Sequence, residues 1–183
     1  KMKPSVDTDF HKEIYKNFKH INCIVHTHSK YATIWAQACK EIPNLGTTHS
    51  DYWFGPIPVT KKLTRKEIND NYEKNIGKNI VNLLKKKFNY GLLIANHGPI
   101  TMGKNINEAL LYAERLEYVS EVAYKTLIIN KKASMSKSLI KKHQTPKSGL
   151  WLQATSKRSE ILKITLNQLQ KKNIKLSYKS NYD

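Results

Sequence analysis

Two short apolar runs, each leading into histidine, constrain this chain more than any other feature. Residues 21–26 read Ile-Asn-Cys-Ile-Val-His, and residues 90–96 read Tyr-Gly-Leu-Leu-Ile-Ala-Asn with His97 next. Runs of this length, rich in Ile, Val and Leu, make buried strands. Between and after them the apolar period becomes helical. Residues 10–18 form a short helix with Asp9 as its expected N-cap, and Ser29 caps a second that carries Ala32, Ile34, Trp35, Ala36 and Ala38. Pro43-Asn44-Leu45-Gly46 ends that helix and turns the chain. Residues 57–60 suit an edge strand, because Pro56 and Pro58 cannot donate to a central ladder. Thr64 followed by Glu67 has capping-box spacing, and Ile68, Tyr72, Ile76, Ile80 and Leu83 or Leu84 then recur at helical spacing. Residues 105–129 give the longest helical segment. Strands alternating with helices imply an α/β fold around a central sheet.

The length of 183 residues suits one domain with a real core. No apolar run reaches the roughly 20 residues that span a bilayer, and no charged-then-apolar leader opens the chain. Cys23 and Cys39 lie in hydrophobic segments and read as buried thiols of a reducing compartment, so a cytoplasmic location is expected. The net charge of +18 allows an anionic partner. The lysines are scattered, however, with dense clusters only at Lys85-Lys86-Lys87, at Lys141-Lys142 and from Lys157 onward, and no nucleic-acid motif accompanies them. They describe a solvated basic surface that attracts sugar phosphates. Beyond Thr155 the chain turns polar and Lys-rich, with Ile161, Leu162, Leu166 and Leu169 hinting at one amphipathic helix. A core over residues 1–150 and a divergent basic tail over 151–183 are therefore expected.

His26-Thr27-His28 closes the first apolar run. Strand side chains two apart share a face, so both imidazoles can converge on one ion. Zinc takes three or four such ligands at about 2.0–2.1 Å. His97, in Asn96-His97-Gly98-Pro99, supplies a third at the end of the second run, where Gly-Pro breaks the strand. Three histidines leave a position open for substrate. Asp7, Asp51 and Glu73 are the carboxylates in suggestive places, though spacing alone favours reading each as a helix cap or surface acid. Metal-assisted carbanion chemistry needs a base and an acid beside a Lewis acid.

These residues resemble the L-ribulose-5-phosphate 4-epimerases of the class II aldolase family. The likeness rests on His26-Thr27-His28-Ser29, Ala32-Thr33-Ile34-Trp35-Ala36-Gln37-Ala38, the stretch from Gly46 to Tyr52, and Asn96-His97-Gly98-Pro99. Pro4-Ser5 with Asp7-Thr8, and Gly103-Lys104-Asn105, fit as well, and the likeness runs from about residue 3 to residue 143. It implies a three-layer fold with a central sheet flanked by helices, and a homotetramer. It implies Zn2+, or another divalent metal, held by His26, His28 and His97 with Asp7 beside it. Asp51 becomes one acid/base, with His143 matching a family histidine, while Ser5, Thr47 and Glu73 match substrate-binding positions. The implied reaction converts L-ribulose 5-phosphate to D-xylulose 5-phosphate by retro-aldol cleavage and re-addition.

Three departures accompany the likeness. The chain starts after a sizeable N-terminal part of the family, which includes sheet strands and a phosphate loop. Val6 stands where the family has a second phosphate-binding serine, and its side chain cannot donate a hydrogen bond. Gly149-Leu150-Trp151-Leu152-Gln153 stands where the family has a motif with a catalytic tyrosine. The alternatives are a class II sugar-phosphate aldolase, an inactive metal-binding remnant, and a basic anion-binding protein.

Overall fold

The computed structural model describes residues 4–144 and 175–178. In chain order the elements are α1 (Thr8–Asn17), β1 (Cys23–His26), α2 (Lys30–Gln37), α3 (Thr47–Tyr52), α4 (Arg65–Lys86), β2 (Gly91–Leu93), β3 (Pro99–Gly103), α5 (Ile106–Ile129), α6 (Lys137–Gln144) and β4 (Lys175–Tyr178). The sheet order is β2-β3-β1-β4, and every pairing in it is antiparallel.

Three layers follow from the period-two alternation of the strands. Ile24 of β1, Leu92 of β2, and Ile100 and Met102 of β3 pack with Phe10 and Ile14 of α1 and with Ile76, Ile80 and Leu84 of α4. On the opposite face, Cys23 and Val25 meet Ala109 and Leu110 of α5. There too, Leu93 joins Trp35 of α2 and Leu116 and Val119 of α5. Trp35 and Trp53 are buried in this second cluster, as packing anchors.

The second apolar run is shorter as a strand than expected, and Gly98-Pro99 does not end the sheet. The chain turns at residues 94–98 and returns as β3, which pairs with both β2 and β1. Proline is tolerated because it opens the returning strand. Residues 57–60 contribute only bridges, Ile42 to Ile57 and Val59 to Leu93.

The helix ends show where local chemistry suffices. Thr64 and Glu67 form the full reciprocal capping box. Thr64→Ala is expected to lower the melting temperature by a few degrees, measured by circular dichroism. The apolar period past this cap does not all face inward, because Asn71 leaves helical geometry (φ −151°, ψ 86°). Its side chain caps the next turn by accepting from the Lys74 N–H at 3.2 Å. The kink leaves Ile68 and Tyr72 exposed while Ile76, Ile80 and Leu84 stay buried. Asp7, rather than Asp9, occupies the N-cap position of α1. α2 ends before Pro43: Cys39 adopts φ 52°, and the Lys40 N–H reaches back to the Trp35 carbonyl at 3.2 Å, a Schellman-type stop. Cys39 is consequently only half-buried, unlike Cys23.

No helix among the described residues is long and apolar enough to cross a membrane. The expected boundary at residue 150 and the amphipathic segment around Ile161–Leu169 lie outside the described residues. Within the basic tail, Lys175–Tyr178 pairs antiparallel with β1, His26 opposite Lys175.

Candidate metal centre

The end of β1 and the β2–β3 turn bring His26, His28 and His97 together, with one ligand atom from each lying within 4.8 Å of the others. The Nε2 atoms of His28 and His97 are 3.2 and 3.3 Å from Nε2 of His26. Two nitrogens each about 2.05 Å from one tetrahedral ion stand roughly 3.3 Å apart, so the spacing fits a shared divalent cation. The three rings meet nearly at right angles, with interplanar angles of 76–89°. Edges, not faces, point inward.

His26 is prepared for this role by the backbone. Its Nδ1 lies 2.9 Å from the Pro99 carbonyl. A carbonyl only accepts, so Nδ1 carries the proton and Nε2 keeps its lone pair toward the other two rings. Burial pushes the imidazole down to about 4, the Pro99 hydrogen bond, Asp7 and the two neighbouring histidines being smaller influences. The ring is therefore neutral near pH 7, as a metal ligand must be. Phe10 covers it edge-on at 5.7 Å.

His97 owes its position to the turn. The Ile94 N–H donates to the Gly98 carbonyl at 2.8 Å, and the His97 N–H to the Ile94 carbonyl at 3.0 Å. Asn96 takes the left-handed conformation (φ 60°) that asparagine tolerates. Its N–H and side-chain amide tie to the Ala36 and Gln37 carbonyls of α2. Gly98 permits a close approach: a Cβ there would lie 2.7 Å from the Thr27 carbonyl oxygen and 3.2 Å from His28 Cδ2. Gly98→Ala is expected to cost about 1–3 kcal/mol in urea unfolding, since a backbone oxygen must yield. It also displaces His28, so metal titration is expected to show weaker binding.

The carboxylates are distributed around two clusters. Asp7 is buried at the start of α1, close enough to His26 and His11 to influence both rings, but it is outside the group of donors that converge within 4.8 Å. Ser5 Oγ donates to Asp7 Oδ2 at 3.4 Å and accepts from the Asp7 N–H at 3.3 Å. Gly77 of α4 lies against Phe10 and Glu13, and Phe88, just past α4, against Phe18. The two helices therefore run in the same direction, and Glu73, one turn before Gly77, stands at the Asp7 end. The second cluster lies on α3 and α6. Asp51 Oδ1 is 2.9 Å from His143 Nδ1, with the side chains 25% and 21% exposed. Thr47 opens α3 one turn before Asp51, on the same face. His49 points inward to the Gly55 carbonyl at 2.9 Å, and burial pushes it down to about 4, which makes it a core residue.

Two features of the site escape a reading of the sequence. The Pro99 carbonyl carries no residue-specific signal. Glu117 does: it lies half-buried on the inner stripe of α5 beside Leu116 and Ser120, where a carboxylate demands a partner. Its partners are the N–H groups of Tyr31 and Ala32, at 2.8 and 3.0 Å.

Three imidazoles, one buried, one half-buried and one exposed, converge from the end of β1 and the β2–β3 turn of a three-layer α/β frame, an arrangement that can hold a divalent cation. The model of the Class II Aldolase and Adducin N-terminal domain matches residues 1–124, well over half the chain, and the chain belongs to that family. Among solved structures it is similar to an L-fuculose 1-phosphate aldolase, with TM-score 0.64 and 20% identity over 79% of this chain and 64% of that one. It is also similar to YgbL of Klebsiella pneumoniae, described as a putative aldolase/epimerase/decarboxylase, with TM-score 0.57 and 23% identity over 76% and 65%. A sugar-phosphate aldolase from Thermotoga maritima gives TM-score 0.53 and 21% identity over 71% and 57%. The chain thus spans less than two thirds of the length of these three structures.

Proposed function

We propose that this chain is the core of a zinc-dependent 4-epimerase acting on L-ribulose 5-phosphate to give D-xylulose 5-phosphate. The convergence of three imidazole nitrogens carries this reading. His26, His28 and His97 would hold the ion, with the buried Asp7 beside it. Bound there, zinc supplies a Lewis acid that stabilises negative charge on the ketose oxygens. The Pro99 carbonyl keeps His26 in the tautomer whose Nε2 is unprotonated. Asp51 accepts the Nδ1 proton of His143, which leaves the imidazole Nε2 to take or deliver a proton. Asp51 and His143 thereby make a proton-holding pair of the kind that carbon–carbon bond cleavage and re-addition require. Ser5, Thr47 and Glu73 are assigned to the substrate, Ser5 at the phosphate. Val6, 69% exposed, leaves this phosphate contact one hydroxyl poorer than in the epimerases. Further parts of the reading are a homotetramer, a cytoplasmic location, and a core over residues 1–150 followed by a basic tail over 151–183.

A class II sugar-phosphate aldolase is the second reading, favoured by the same metal centre. One assay separates the possibilities. Zinc-loaded protein is given L-ribulose 5-phosphate. Formation of D-xylulose 5-phosphate supports the epimerase, and release of glycolaldehyde phosphate and dihydroxyacetone supports the aldolase. Neither product, from folded protein that holds zinc, would leave the metal-binding remnant. Absence of zinc binding together with salt-sensitive polyanion binding would leave the basic anion-binding protein.

A further inference from the structure

The three histidines are not held alike. His26 lies inside a paired strand and is tied to the Pro99 carbonyl. His97 is part of a hydrogen-bonded turn. His28 lies beyond the end of β1, is exposed, and is followed at once by Ser29 and the first turn of α2. Its position depends on how that corner is clamped. Ser29 occupies the N-cap position in extended conformation but makes no side-chain cap bond. Its buried Oγ has no hydrogen-bond partner among the described residues. The orphan N–H groups of Tyr31 and Ala32 are taken instead by the two carboxylate oxygens of Glu117, 86 and 85 residues away in sequence. The same stretch of α5 holds α2 again one turn on, where the Trp35 indole N–H donates to the Ser120 carbonyl at 3.0 Å.

We propose that Glu117 is a positioning residue for the metal centre, acting through α2 on His28. The inference rests on the reading that the three histidines bind a divalent cation. Glu117 does two things at once. Its oxygens fix where α2 begins, and so the direction in which the chain leaves His28. Its negative charge offsets the positive end of α2, which begins two residues after His28. A glutamine keeps one acceptor oxygen and loses the charge; an alanine loses both. Metal affinity is therefore expected to fall in the order wild type, Glu117→Gln, Glu117→Ala.

The test is titration of the full chain with Co2+, following the visible absorption of the bound ion, beside thermal melts of the metal-free proteins. Glu117→Ala is expected to bind Co2+ at least about tenfold more weakly, as when an outer partner of a metal ligand is removed, and with an altered absorption spectrum. Thr64→Ala, which removes a cap far along the chain, serves as the control for lost stability alone and is expected to bind as wild type does. Glu117→Gln carries the same comparison if the alanine variant does not fold. Affinity and spectrum like those of wild type in whichever variant folds, with only the melt lowered, would overturn the inference and leave Glu117 an ordinary helix cap. Wild type that takes up no Co2+ or Zn2+ would overturn the metal-centre reading itself, a result separable from the first.

Discussion

His97→Ala is expected to abolish stoichiometric zinc binding and, with it, turnover. A site of three imidazoles has no spare ligand. Removing an outer partner of a metal ligand already costs 10–100-fold in affinity, so losing the ligand itself is expected to cost more than about 100-fold. The Lewis acid contributes several kcal/mol of charge stabilisation, and each 1.4 kcal/mol is tenfold, so turnover is expected to fall by about 10³-fold or more. The fold is expected to survive. His97 is half-buried on a turn, and the bonds that shape the turn come from the backbone and from Asn96. Metal analysis of the purified variant, beside its circular dichroism, checks both parts. A folded variant that still carried one zinc per chain would show that the ion lies elsewhere.

Asp51→Asn is expected to leave zinc content unchanged and to slow turnover by about 10²–10⁴-fold, the range for one general acid–base group. Asparagine matches aspartate in size, so α3 and its packing on α6 are preserved. The amide can neither take up a proton nor provide a negative partner for His143. Its oxygen still accepts a hydrogen bond, so the expected loss is one of charge and proton transfer rather than of shape. Steady-state kinetics with metal analysis separates this variant from His97→Ala: one loses rate with its metal, the other keeps the metal. Undiminished turnover would place the acid–base chemistry outside the Asp51–His143 pair.

The features legible in the sequence are those that short-range geometry decides. A strand carries residues two apart on one face, so His26 and His28 were foreseeable as neighbours, and their Nε2 atoms meet at 3.2 Å even though the strand formally stops at His26. The Thr64–Glu67 box needs only a spacing of three, and the helix after Asn105 only its period. Tertiary structure decided what depends on residues distant in sequence or on competition between local rules. Gly98-Pro99 reads as a break. It begins β3, because pairing with β1 and β2 outweighs the one missing N–H at the strand's first residue. Ile68 and Tyr72 carry a helical period but face solvent, because Asn71 caps a second helix where the first was expected to continue. Ser29 is a fitting cap by type, yet the N–H groups of α2 go to Glu117, whose charged carboxylate binds two of them from the neighbouring helix. By itself the sequence determined which histidines can hold a metal. Packing between α2, α5 and the hairpin decided where those residues stand, since His97 comes within 3.3 Å of His26 only through contacts that join residues about 70 to 90 positions apart.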